Sequence, residues 1–174
     1  QILLSLESAV RGGLLIPIVY NTSGYDLPET IRLLDGIVDI YLTDMRYSDD
    51  RMAEKFSDTA DYVEYNRASV KEMQNQVGNL ILNDAEIAQR GLLIRLLVMP
   101  EDIAGTKNTL RFIKECVSGN AYLSLMSQYY PTFKAYTYKE LSRGVTMEEY
   151  KNIVDESRHL GLNNGWIQEM SGPT

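Results

Sequence analysis

Four apolar stretches of this chain each run into polar residues of the kinds that bind or move charge. The first passes through Ile16-Pro-Ile-Val-Tyr20 into Asn21, Thr22, Ser23 and Gly24. The second, Ile37 to Leu42, ends at Thr43, Asp44 and Arg46. The third, Leu92 to Val98, carries Arg95 inside the stretch and Met99 at its end. The fourth, Ala121 to Met126, leads into Ser127, Gln128, Tyr129 and Tyr130. If these stretches are parallel strands of an α/β fold, the residues just past their carboxyl ends face one common site. That site then holds one carboxylate, two guanidinium groups and a set of neutral donors and acceptors. Each residue also has a plain structural reading. Asp44 can cap a turn, Arg46 can be a solvated charge, Asn21 and Gly24 can serve a turn, and Tyr129 and Tyr130 can simply pack. Arg95 is harder to explain that way. A guanidinium inside an apolar strand has to be paired or face a polar cavity, because burying it alone is costly.

The intervening segments supply the elements that would position these residues. Ile2, Leu3, Leu6, Ala9 and Val10 recur at helical spacing and Gly12-Gly13 ends that helix. Leu14 to Tyr20 has the density of a buried strand. Asp26 with Glu29 predicts a capping box for a helix to about Leu34, and Asp61 with Glu64 predicts another for a helix to about Gln76. Ser48 is the expected cap of a short helix through Phe56. Leu80 to Leu82 reads as a short extended piece, and Asn83 with Glu86 as a helical turn ending at Gly91. Thr106 opens a helix to Cys116, and Thr146 with Glu149 caps one to His159, ended by Gly161. Strands and helices alternate, and near-continuous apolar strands predict a parallel sheet buried on both faces. Four strands with helical crossovers make a partial barrel, since a closed one needs about eight. Residues 1–162 are assigned to this partial barrel and 163–174 to a Gly/Asn-rich tail. With no initiator Met and a single helix before the first strand, the chain is expected to begin partway through a protein.

Composition narrows the chemistry. The 174 residues suffice for one domain with a real core, 44% are apolar, and the net charge of −7 disfavours a phosphate-backbone binder. No apolar run approaches the ~18 residues of a membrane helix, and no signal peptide shows. Cys116 is the only cysteine, so an internal disulfide and a Cys-rich zinc or iron–sulfur site are excluded from these residues, and His159 is the only histidine, so a His-based metal site or a His-dependent triad would rest entirely on a residue that reads as structural or surface. That usage suits a reducing cytoplasm. Nucleotide-binding glycine fingerprints, phosphate loops and the Gly-x-Ser-x-Gly elbow are absent.

Ile18-Val-Tyr-Asn-Thr-Ser-Gly24, Asp39-Ile-Tyr-Leu-Thr-Asp-Met-Arg-Tyr47, Gly91-Leu-Leu-Ile-Arg-Leu-Leu-Val-Met-Pro100 and Leu125-Met-Ser-Gln-Tyr-Tyr-Pro131 also carry a family resemblance. In that order, they resemble consecutive blocks of the radical S-adenosylmethionine (SAM) superfamily, in the branch named for pyruvate formate-lyase activating enzymes. The resemblance implies a partial (β/α) barrel of the radical SAM type, of which this chain is the C-terminal portion. It implies a 4Fe-4S cluster held by a CxxxCxxC loop, reductive cleavage of SAM to a 5′-deoxyadenosyl radical, and hydrogen abstraction from a protein partner such as a glycyl-radical enzyme. It implies an electron donor such as flavodoxin or ferredoxin. This chain has no CxxxCxxC motif, so alone it is expected to be inactive. The resemblance assigns SAM contacts to Asn21, Thr22, Ser23, Asp44, Arg46, Arg95, Gln128 and Tyr129, with Asp44 also a possible ligand of a monovalent cation. Arg46 stands where the family usually has Lys, a position that pairs with the methionyl carboxylate. The competing readings are a cluster-free ligand- or partner-binding α/β domain, and a structural fragment. An exposed sheet edge would favour a dimer.

Overall fold

The computed structural model describes residues 2–170. Its frame is one sheet in which strands β1 (Val19–Thr22), β2 (Ile40–Asp44), β4 (Ala88–Leu97), β5 (Tyr122–Met126) and β6 (Asn164–Ile167) run parallel in that order. Short β3 (Ile81–Leu82) folds back antiparallel onto the start of β4. Helices α1 (Ile2–Arg11), α2 (Pro28–Arg32), α3 (Asp50–Ser57), α4 (Tyr62–Val77), α5 (Thr106–Cys116) and α6 (Met147–His159) make up the rest, with 3-10 turns at Pro100–Asp102, Phe133–Thr137 and Lys139–Leu141. The parallel strands follow one another across the sheet without the reversal of order that marks a doubly wound fold. This is barrel-type winding left open, with β1 and β6 at the sheet edges among the described residues.

The sheet is covered on one face only, where two-sided burial is expected from the sequence. On β4, Leu92, Ile94 and Leu96 are at most 2% exposed, while Leu93, Arg95 and Leu97 between them are half-buried. Register extends this alternation across the sheet. Tyr41 pairs with Leu92, Thr43 with Ile94, and Ile94 with Leu123, and these fill the core beneath the helices with Val70, Met73, Leu110, Ile113 and Ile153. Asp44 pairs with Arg95, and Arg95 with Ser124, on the open face. This is how an arginine is accommodated in an apolar strand: period-2 alternation turns it away from the core.

Several local expectations change. Leu14 to Pro17 is not strand. Leu15 and Ile16 are largely exposed, and pairing begins only at Val19. Asp26 does not cap α2, because its carboxylate accepts from Thr22 Oγ1 and Tyr20 Oη; α2 starts after Leu27 with Pro28 in its first turn. Asp61 sits at φ 52 and makes no cap; Asp50 Oδ1 instead accepts from Val63 N at the start of α4. Asp49 rather than Ser48 caps α3. Asn83 organises a hairpin turn, not a helical one, with Oδ1 accepting from Ala85 N and Ile87 N. The capping box of Thr146 and Glu149 is fully formed. Residues 164–167, placed in a tail by composition, add strand β6 to the sheet. Gly165 permits that pairing at φ 125, where a Cβ would press into the Leu123 backbone.

Candidate functional site

The network at the carboxyl ends of β1, β2 and β4 is built on Arg95. Its Nε donates to Asp44 Oδ1 at 2.6 Å and its Nη2 to Asn21 Oδ1 at 2.9 Å. The second carboxylate oxygen, Asp44 Oδ2, accepts from Arg46 Nη2 at 3.3 Å. Side-chain exposure falls from 44% for Arg46 to 26% for Arg95 and 15% for Asp44, so the carboxylate lies deepest. Two guanidinium groups around one carboxylate leave a local excess of positive charge with unused N–H donors.

Backbone at the same strand ends is fixed from below by α4. Asn66 Nδ2 donates to the Gly24 and Asp44 carbonyls at 3.2 and 2.9 Å. Tyr62 Oη accepts from Arg46 N at 2.9 Å and donates to the Ser23 carbonyl at 3.4 Å. Burial pushes the Tyr62 phenol up to about 12, so it stays a neutral donor. Ser69 Oγ donates to the Asp26 carbonyl. Gly24, at φ 76, lies against this scaffold: a Cβ there would stand 2.8 Å from Thr43 Oγ1 and closer still to Asn66 Nδ2 and the Asp44 carbonyl. Thr43 Oγ1 and Asn66 Oδ1 are buried without a hydrogen-bond partner among the described residues.

The structure therefore brings Asn21, Asp44, Arg46 and Arg95 together. Thr22 turns to the helix side, where its hydroxyl donates to Asp26 and accepts from Gly24 N. Ser23 participates through its carbonyl. Gln128 faces β6, accepting from Gln168 Nε2 at 3.4 Å, and Tyr129 Oη donates to the Leu141 carbonyl at 2.9 Å. Neither bonds to the Arg95 network among the described residues, although Tyr129 and Arg46 line one cavity. Sequence reasoning missed Tyr62 and Asn66. Their signal was available only as two polar residues on a helical repeat otherwise filled by Val70, Met73 and Val77.

Metal ligation is not favoured by these residues. Among the described residues no cluster of His, Cys, Asp and Glu is placed to hold a metal ion. A cation at Asp44 would compete with two guanidinium groups already bound there. Cys116 is exposed at the end of α5 and has no second cysteine to join it, so a 4Fe-4S cluster does not fit the residues of this chain. No described helix is long and apolar enough to cross a membrane.

No family model matches the sequence. The chain is 30% identical over 149 residues to an uncharacterized protein of Methanocaldococcus jannaschii, a match that takes in 85% of this chain and 40% of that protein. The chain thus spans less than half the length of the curated relative it matches. Among solved structures it is similar to the crystal structure of a domain of pyruvate-formate lyase-activating enzyme from Bacteroides vulgatus, with a TM-score of 0.63 at 14% identity, over 94% of this chain and 87% of that one. The open parallel α/β sheet described above is thus a fold shared with a domain of an activating enzyme.

Proposed function

We propose that this chain is the SAM-binding portion of a radical SAM enzyme of the activating-enzyme type, and that other parts of the protein supply the cluster. The observation that supports this most is the Asn21–Arg95–Asp44–Arg46 network, set at the carboxyl ends of parallel strands in a fold shared with an activating-enzyme domain. The donor set suits an α-amino acid moiety. Arg46 presents a guanidinium to the α-carboxylate, and Asp44 and Asn21, whose oxygens accept from Arg95 and Arg46, hold the two guanidinium groups in place. When bound to a reduced cluster, SAM supplies hydrogen-abstracting chemistry. What this chain contributes is orientation: a charge-matched seat whose carboxylate is held in place by Arg95. In this reading the partners are a glycyl-radical enzyme or another protein substrate, and an electron donor such as flavodoxin or ferredoxin. The uncovered edge of β1 is where a second copy would pair.

The test is a titration of the isotope-labelled chain with SAM, followed by amide shifts. Saturable shifts at Asn21–Gly24, Asp44–Arg46 and Arg95, lost in Asp44→Asn and weakened in Arg46→Gln, are expected. Absence of saturable shifts would reject the assignment. The alternative, a cluster-free ligand-binding domain, is favoured by the fact that the network is complete within this chain. Iron and sulfide content of the longer protein decides between them.

A further inference from the structure

The chain carries 24 carboxylates against 17 Lys and Arg, yet one of its cavities is lined by cations and by no carboxylate. This cavity, about 360 Å³, opens between the ends of β2, β4 and β5 and the 129–141 segment. The volume lies within the ~300–1,000 Å³ range of small-molecule sites. Arg46 and Lys134 are its charged lining, and Tyr47, Phe56, Tyr129 and Tyr138 give it ring surface. Nearby carboxylates are already neutralised: Asp44 lies between Arg95 and Arg46, and Glu140 pairs with Lys55 at 2.9 Å. Lys134 takes part in no ion pair among the described residues.

The rim adds a second observation. Phe133 is 86% exposed and sits at φ 48, a left-handed conformation that bulky side chains rarely adopt. It begins the 3-10 turn that sets Lys134 and Ala135 into the cavity wall. Backbone strain of this kind, retained on a surface turn beside a cavity, is a feature of ligand sites.

We infer that this cavity binds a small organic anion, a carboxylate carried on a flat, ring-bearing apolar body. Lys134 provides a compact point charge, and Arg46 keeps N–H donors beyond its one bond to Asp44. The rings of Tyr47, Phe56 and Tyr138 supply the apolar contact, and partial exclusion of water strengthens the charge pairing. The occupant shares Arg46 with the proposed SAM seat but takes Lys134 and the ring lining, which that seat does not use, so Lys134 and the aromatic residues separate the two readings.

The probe is 3-phenylpropanoate, titrated into the isotope-labelled chain beside its neutral amide and 2-phenylethylammonium. The acid is expected to saturate with a Kd of about 1 mM, as befits a fragment of this size. Its shifts should cluster at Arg46, Tyr129 and Thr132–Tyr138. The amide should bind about 10-fold more weakly and the ammonium not at all, the response expected when the acid's charge is matched by the lining. Lys134→Gln, an exposed substitution whose amide spectrum reports its fold, should weaken the acid several-fold, and Lys134→Arg should restore it. Equal binding of acid and amide, shifts elsewhere, or no saturation would overturn the proposal. So would an acidic aromatic peptide that binds where the free acid does not. SAM titrated separately distinguishes the two readings, since failure of SAM leaves the probe's result intact and failure of the probe leaves SAM's.

Discussion

Removing Asp44 or Arg95 should cost far more than removing Arg46, and the difference can be worked out beforehand. Asp44 and Arg95 meet at 2.6 Å with 15% and 26% of their side chains exposed. At a charge separation of ~4 Å and an effective dielectric constant of ~20, the attraction is ~4 kcal/mol. Desolvation and the ordering of two side chains return roughly half of that, leaving a coupling of ~2 kcal/mol. The Arg46 contact is longer, 3.3 Å, and its guanidinium is 44% exposed, so its coupling should stay below ~1 kcal/mol. Asp44→Ala alone should cost ~3 kcal/mol, because Arg95 then keeps only Asn21 as partner. Two double-mutant cycles, Asp44→Ala with Arg95→Ala and Asp44→Ala with Arg46→Ala, measure this by urea unfolding. Far-UV dichroism reports the whole fold, and Trp166, the only tryptophan, reports strand β6. Raising the salt should erase the Arg46 coupling and leave most of the Arg95 coupling. If the Arg95 coupling equals or falls below the Arg46 coupling, the depth argument is wrong and the network is an ordinary surface cluster.

Further outcomes follow from the same geometry. Gly24→Ala should destabilise by ~3 kcal/mol or more, since a Cβ meets Asn66 and the Asp44 carbonyl and the backbone is left-handed; an unchanged urea midpoint would contradict the described packing. Arg143, chiefly, with Thr146 N and Glu101 N, holds the Glu149 carboxyl far below the usual carboxylate range. Its stabilisation is therefore complete above the unfolded pKa of ~4.3 and is lost as pH falls toward the lower folded value. Glu149→Gln should be less stable than the parent at pH 7, with a gap that narrows on acidification; a gap of constant size in paired urea titrations would exclude this. Asn83→Ala should lower stability by ~1 kcal/mol by freeing the Ala85 and Ile87 amides, visible as faster hydrogen exchange in the β3–β4 hairpin.

The elements easiest to read were those where composition and context agree. The Ile/Leu/Val density of β2, β4 and β5 and the cap of α6 have no strong competitor, whereas α5 starts after Gly105 with no side-chain cap and the Thr106 amide donates to Asp102. The Thr146–Glu149 box formed because nothing distant claims its hydroxyl. The two Asp-based boxes failed because carboxylates reach farther. Asp26 is captured by Thr22 and Tyr20, and Asp50, from another helix, displaces Asp61 at the α4 start. Strand β6 was hidden because Asn164-Gly-Trp-Ile has little strand character of its own; it exists because Gly165 allows contact with β5. At the site, Asp44 and Arg95 were legible as polar breaks in apolar stretches. Gln128 and Tyr129 also follow a strand end, but sequence position could not show that they turn toward Gln168 and Leu141.

Helix α4 holds one side of the site by several side-chain bonds that the other side does not receive. Through Tyr62, Asn66 and Ser69 it grips the backbone at Ser23, Gly24, Asp26 and Asp44, so those strand ends can shift only if a 16-residue helix shifts with them. The opposite side, Thr132 to Ser142, consists of two short 3-10 turns anchored by buried Leu141, the Tyr129 hydroxyl and the contacts of Tyr138 and Glu140 with Lys55. Amide exchange at Gly24 and Asp44 should then require global unfolding, whereas the 132–142 amides should exchange by local opening. A ligand spanning both sides would meet one fixed surface and one that adapts. Differences in size among ligands placed there would be absorbed by the 3-10 turns, while the charge geometry at Asp44 stays constant.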